Sequence, residues 1–167
     1  MKEILHKNWM THDGMWFYHC LQECGIEKTN RINRAAVRSM AMIEMKRMAK
    51  ALGIMEVKNF AEFKELMEGA YGIVKADFMK FNYAFPGKDI LRMDMIGCFA
   101  HDGMVRIGVI HQYQCGIFER IKGWLDALGL RYTEYPEVEG CMMHSEGRCY
   151  REFSLHFPGN VERGASL

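Results

Sequence analysis

The chain has 167 residues, of which 49% are hydrophobic and 26% charged, and its 22 basic and 21 acidic side chains leave a formal net charge of +1. This size is typical of one globular domain with a sizeable core, and the near-neutral charge argues against a nucleic-acid or membrane partner. No apolar run reaches the roughly 18 residues of a membrane span, and the N-terminus has no signal-peptide core. We therefore expect a cytoplasmic, reducing location, a single domain over residues 1–157 and a flexible tail over 158–167.

The first half of the chain predicts three helices. The first runs from about Lys2 to Cys24, and a glycine ends it. The second runs to Leu52 and begins at Thr29 or Asn30, since both residues are good N-caps. It is rich in alanine and methionine around most of its circumference, which indicates a central, buried helix. A shorter helix is expected over residues 59–74.

The second predicted helix also carries a run of basic residues. Seven lysines and arginines between Lys28 and Lys50 accompany only two acidic residues. Such a run could bind an anion or nucleic acid. Because no aromatic residues interleave with it, we favour a solvated face, or a surface paired with acidic residues elsewhere in the chain.

The hydrophobic pattern then changes from a helical period to a period of two. Residues 77–85 and 90–98 predict a β-hairpin around the turn at 86–89. Two helices and two strands follow, at about 102–110, 115–128, 130–135 and 149–157. The helix at 115–128 has an apolar stripe that leaves Glu119 on the outside, and Arg151 is the odd member on the apolar face of the last strand. The order ααα-ββ-αα-ββ predicts an α+β fold in which helices cover one face of a roughly four-stranded antiparallel sheet.

The cysteines of the second half form the main candidate site. Cys141 and Cys149 bracket a short loop, and Cys115 lies at the start of a predicted helix. Zinc binds about four sulfur or nitrogen ligands at roughly 2.0–2.3 Å. These three cysteines, with Cys98 or His144 as the fourth ligand, therefore predict a zinc site, with iron or an iron–sulfur cluster as the less favoured occupant. The alternative is that the cysteines are small buried hydrophobic residues.

The same region also permits a nucleophile. Cys115 at a helix N-terminus would have its thiolate favoured by the helix dipole, and His111, four residues upstream, could act as its base. A further option is a redox sensor that uses Cys20 and Cys24.

The first helix carries a stripe of polar and aromatic residues. Trp9, His12, Asp13 and Trp16 could line a pocket for a small hydrophobic molecule against the methionine-rich second helix. The alternative is an ordinary amphipathic helix, whose aromatic residues face the core and whose polar groups face water.

The last third of the chain resembles a known family. Its motifs at 123–129 (GWLDALG), 139–141 (EGC) and 147–153 (GRCYREF) are similar to those of the 4-vinyl reductase domain. That domain belongs with the TRAPP-like ligand-binding folds and the L-2-amino-thiazoline-4-carboxylate hydrolase-like proteins. The resemblance implies an α+β fold, often homodimeric, that encloses a small apolar ligand, with Cys141 and Cys149 as a metal-binding pair. The N-terminal segment around Trp9 and Trp16 is similar to bacterial and archaeal proteins without an assigned activity.

Together these features favour a homodimeric sensor or carrier domain that binds a small hydrophobic molecule and is stabilised by zinc at its cysteines. The rival hypothesis is a hydrolase of a small cyclic amide or thiazoline-like substrate. Its nucleophile would be Cys115 or a metal-bound water.

Overall fold

The structure is a computed structural model that describes residues 1–157, so the predicted flexible tail at 158–167 lies outside the described residues. Within that range the elements, in chain order, are α1 (Lys2–Leu52), α2 (Phe60–Val74), β1 (Phe81–Ala84), β2 (Ile90–Met95), α3 (Phe99–Arg106), α4 (Ile117–Ala127), β3 (Arg131–Tyr135), α5 (Met142–Glu146) and β4 (Tyr150–His156). This arrangement confirms the predicted α+β class. None of the helices in the described part of the chain is long and apolar enough to cross a membrane.

Gly25 divides α1 into two helices. Its φ of 72° and ψ of 168° are not helical, and glycine adopts a positive φ without the steric cost that a Cβ would add. One helix occupies residues 2–24 and the other 26–52. Side chains from both line a single cavity, so the two helices lie side by side.

The predicted start of the second helix at Thr29 or Asn30 is wrong, because both residues lie inside the helix that follows Gly25. The Thr29 hydroxyl donates to the Gly25 carbonyl at 2.8 Å, one turn back along the chain. The buried Asn30 side chain is used for tertiary contact instead: it donates to the Gln112 carbonyl and accepts from the Gln114 N–H. These bonds attach α1 to the segment before α4.

The four strands form one antiparallel sheet in the order β1-β2-β4-β3. The central strands pair with Leu91 opposite Phe153, and both side chains are fully buried. Because successive side chains of a strand point to opposite faces, the other face carries polar residues, such as the ion pair between Arg92 and Glu152. One face of the sheet thus faces the helices and the other carries charge.

One hydrophobic core joins the buried face of the sheet to α1, α2 and α4. Its members without solvent exposure include Ala41, Met45, Phe63, Leu66, Leu91, Leu125 and Phe153. The helices α1 and α4 approach most closely at Gly123, where a Cβ would lie 2.6 Å from the Arg38 carbonyl oxygen. The apolar stripe predicted for α4 is confirmed by the burial of its residues in this core.

Several predicted boundaries and one predicted exposure are wrong. The helix expected over 102–110 begins at Phe99 and ends at Arg106, and the expected loop after Cys141 contains α5. The hairpin strands are shorter than predicted. Glu119, expected on the outside of α4, is only 4% exposed. It accepts from Arg34 and Arg38 of the basic run on α1, which confirms the predicted pairing with acidic residues for these two, whereas the other five basic residues of the run are exposed.

Candidate functional site

Four cysteines lie at the starts of local structures in the second half of the chain. Cys98 and Cys141 are the N-cap residues of α3 and α5, Cys115 lies two residues before α4, and Cys149 directly precedes β4. All four are free thiols. We refer to these four residues as the thiol cluster.

The fold brings the members of the thiol cluster close to one another. Cys115 and Cys141 both influence the pKa of Cys98, and Cys141 influences the pKa of Cys115. The pKa of Cys149 responds to all three other thiols. Every pair in the cluster is therefore within range of electrostatic interaction, although the four residues come from four separate segments.

Burial favours the protonated form of Cys98, Cys115 and Cys149. It is the main cause that raises the pKa of Cys98 to about 11 and that of Cys149 to about 12, and it also raises the pKa of Cys115. Backbone N–H groups at the start of α3 have the opposite effect: those of His101 and Ala100 act to lower the pKa of Cys98. A bound metal ion would displace the protons and use the same N–H groups to support thiolate ligands.

A buried cation lies beside the cluster. Arg151 is 2% exposed on the apolar face of β4, where the sequence pattern places it as the odd member. Its guanidinium donates to Glu134 at 2.9 Å and to the sulfur of Met142 at 3.3 Å. It also lowers the pKa of Cys115 and Cys149 against the effect of burial. Arg151 therefore supplies positive charge where thiolates would form.

The side chains are not yet arranged as a chelating set. Within residues 1–157, no three Cys, His, Asp or Glu side chains are positioned so that they could hold a metal ion. Sulfurs bound tetrahedrally to zinc are about 3.8 Å apart. A cysteine that changes from one staggered rotamer to another moves its sulfur by about 3 Å. Binding of zinc would therefore require new side-chain rotamers in the thiol cluster.

His144, the alternative fourth ligand, points to a different partner. Its Nε2 lies 3.1 Å from Nδ1 of His111, and both side chains are exposed. His111 would act as the base in the nucleophile hypothesis, but its Nδ1 already contacts His144. The thiol of Cys115 also lacks the lowered pKa that an activated nucleophile needs. The geometry therefore gives the nucleophile hypothesis no support.

The ligand pocket expected on the first helix corresponds to a cavity of about 240 Å³ between the two halves of α1. Trp9, Asp13 and Trp16 line one side of the cavity and Met40 lines the other. His12 is not part of the lining and stacks on Trp9 instead, with 5.8 Å between ring centroids. Burial raises the pKa of Asp13. Three of the four expected residues thus share one cavity.

A larger cavity, of about 640 Å³, lies between the end of α2 and β1. Its lining includes Lys75, Asp77 and Lys80 and contains no cysteine or histidine. The sequence pattern gave no indication of this larger cavity.

Of the two cysteines in the redox hypothesis, Cys20 lines the smaller cavity and Cys24 is exposed, and that hypothesis stays a prediction.

Comparison with known proteins gives one match. A family model described as "Family of unknown function (DUF6125)" matches residues 1–115, which include Cys98 and Cys115 of the thiol cluster. No curated protein and no solved structure matches the chain at a significant level. The resemblance to the 4-vinyl reductase domain, which lies in residues 115–157, stays a prediction.

Proposed function

The chain belongs to the DUF6125 family, whose function is unknown, and we propose from its own residues that it is a metal-binding domain in which the thiol cluster holds a zinc ion. One observation carries the proposal. Four cysteines from four separate segments lie within electrostatic range of one another in a partly buried, apolar setting. The alternatives for the fourth ligand were Cys98 and His144. We favour Cys98 because it lies within electrostatic range of the other three cysteines, whereas His144 contacts His111.

Zinc held by four thiolates would be a closed structural site that adds to the free energy of folding. The cluster residues precede α3, α4, α5 and β4, so one ion would join the starts of these four elements. Backbone N–H groups near Cys98 and Cys115 and the guanidinium of Arg151 would offset the negative charge. A reducing compartment such as the cytoplasm, which keeps thiols free, forms part of the proposal.

Elemental analysis of untagged protein, purified without chelator, tests the proposal. We expect about one zinc ion per chain. The double variant Cys141→Ser/Cys149→Ser should lose the metal, whereas the matched control Cys20→Ser/Cys24→Ser should retain it. Iron together with visible absorption would place an iron–sulfur centre in the cluster instead of zinc. A metal-free wild-type protein, or a double variant with the same zinc content as the wild type, would contradict the proposal.

We propose a second role, binding of a small hydrophobic molecule, for the cavity between the two halves of α1. The observation in its favour is that Trp9 and Trp16 line this cavity although they are 58% and 63% exposed. Exposed tryptophans beside a cavity are typical of ligand sites. A screen of small apolar compounds by tryptophan fluorescence would test this role, and Trp9→Ala should abolish any response. A response that survives in Trp9→Ala would place the ligand elsewhere.

We also propose that a second copy of the chain covers this exposed face of α1, which would give the homodimer expected from the sequence. Leu5, one turn before Trp9, adds further exposed apolar surface to the two tryptophans. Light scattering should report a dimer for the wild-type protein and a monomer for Trp9→Glu/Trp16→Glu.

For the rival hydrolase, turnover of a cyclic amide or thiazoline that is lost in Cys115→Ala would be the supporting result.

A further inference from the structure

Three histidines converge beside the thiol cluster, and the proposed zinc site does not use them. His101 belongs to α3, His144 belongs to α5, and His111 lies in the segment between α3 and α4. His101 and His144 each follow a cluster cysteine by three residues, in the pattern Cys-x-x-His at the start of a short helix. The same two helix starts therefore position a cysteine and a histidine each.

The ring nitrogens of two of these histidines point at each other. His144 Nε2 and His111 Nδ1 are 3.1 Å apart, and the rings are almost perpendicular, at 82°. Two imidazole nitrogens bound to one zinc ion at about 2.05 Å, at tetrahedral angles, would be about 3.3 Å apart. The two nitrogens, joined here by a hydrogen bond, are thus within a few tenths of an ångström of the spacing of two ligands to one ion, and a bound ion would replace that hydrogen bond.

The third histidine is oriented by a carboxylate. His101 Nδ1 lies 2.9 Å from Oδ1 of Asp102, which leaves Nε2 free. A histidine that binds a metal through one nitrogen commonly donates from the other to a carboxylate. The ring centroids of His101 and His144 are 6.4 Å apart, so His101 has to turn towards the pair to complete a set of three.

The surroundings of the histidines suit an open site. His111 and His144 are exposed, and His101 is half-buried, so water and small solutes reach the group. Imidazole is a good ligand for zinc, copper, iron and nickel. An ion held by three protein ligands keeps a position for water or a substrate atom, in contrast to the closed site proposed for the four thiolates.

We propose that His101, His111 and His144 form a second, solvent-facing binding site for a divalent transition-metal ion, beside the thiol cluster. The proposal does not rest on zinc at the cysteines, because the residues of the two sites differ. Asp102 acts as a positioning residue that occupies Nδ1 of His101 and so leaves Nε2 for the ion.

Titration of the full chain with Co²⁺, followed by absorption spectroscopy, tests this site separately from the thiol cluster. Cobalt bound by thiolates gives an intense charge-transfer band in the near ultraviolet, whereas cobalt bound by imidazoles gives only weak visible bands. We expect the wild-type protein to bind a cobalt ion whose absorption spectrum is of the imidazole type. His111→Ala/His144→Ala should weaken its binding by more than about tenfold, and Asp102→Asn by about tenfold.

His19→Ala provides the matched control, since His19 lies in the first half of α1 and its ring packs against Tyr18. It should bind the ion as the wild type does, and melting temperatures would verify that every variant folds. The proposal is overturned if the wild-type spectrum contains no imidazole-bound ion, or if the double histidine variant binds that ion with unchanged affinity. An imidazole spectrum without the thiolate band would support the histidine site and contradict the proposed zinc site.

Discussion

Glu119 shows how one buried carboxylate can organise the contact between two helices. It accepts from Arg34 and Arg38 of α1 and from Lys122 of its own helix, with the closest contacts at 2.8 Å. Burial alone would raise the pKa of Glu119, but hydrogen bonds from Lys122 and Arg34 outweigh it, and the pKa is lowered. The folded protein therefore holds Glu119 in its ionised form more firmly than the unfolded chain does.

Replacement of Glu119 by glutamine should destabilise the protein by about 2 kcal/mol at neutral pH. Loss of one partner of a buried ion pair costs about 3–5 kcal/mol, but the half-exposed arginines can regain water. Urea unfolding would measure the effect, with Glu65→Gln on the exposed side of α2 as a control that should leave stability unchanged.

The contribution of Glu119 should also depend on pH. Its folded pKa lies below the ordinary value of 4.5, so the stabilisation is complete above that value and is lost as the pH falls through the folded pKa. The stability difference between the wild type and Glu119→Gln should therefore shrink in acid. A difference that stays constant from neutral pH to about pH 3 would contradict this assignment.

Burial of Glu119 could not be read from the sequence, whereas that of Arg151 could. The hydrophobic pattern of β4 places Arg151 on the apolar face, and the structure confirms it. In α4 the polar identity of Glu119 favours the solvent side, and its cationic partners lie about 80 residues earlier in the chain. A local pattern contains no information about such distant partners.

Helix starts show the same limit at the scale of elements. The start of α2 is predicted to within one residue, and its N-cap Asn59 accepts from the Glu62 N–H at 3.0 Å. The N-caps of α3 and α5 are Cys98 and Cys141, which make no side-chain capping bond. These starts carry no recognised signal, and the predicted boundaries fail there. The cysteines of the candidate site were identifiable as residues, but their convergence depends on these unpredicted helices.

The close approach of α4 to α1 predicts a specific cost for a side chain at Gly123. A Cβ there would lie 2.6 Å from the Arg38 carbonyl oxygen and 2.7 Å from the Ala41 Cβ, so the backbones would have to separate. Gly123→Ala should therefore reduce the free energy of unfolding by about 1–3 kcal/mol. Gly72→Ala in α2 is the matched control: a Cβ at Gly72 meets no atom within 4 Å, and the variant should gain up to about 1 kcal/mol. Equal effects of the two substitutions on thermal unfolding would contradict the close packing.

At the scale of the whole molecule, the thiol cluster lies between two hydrophobic cores. The main core joins the sheet to α1, α2 and α4. A smaller core, formed by Phe17, Met104, Ile110 and Tyr113, lies under the segments around α3. Cys115 packs against both cores, Cys98 belongs to the larger one, and Cys141 packs against the smaller one. A metal ion in the cluster would therefore connect the small core to the large one.

This placement predicts that removal of the metal loosens one part of the molecule. Most of the larger core does not involve the cysteine ligands, since residues such as Phe63, Leu91 and Leu125 are fully buried there. With a chelator present, amide hydrogen exchange should accelerate by at least about tenfold in residues 98–115 and 140–149, and stay slow in α4 and β2. Cys141→Ser/Cys149→Ser should show the same pattern without chelator and should not respond to it. Faster exchange throughout the chain would mean that the metal supports the entire fold, and unchanged exchange would mean that the cluster binds none.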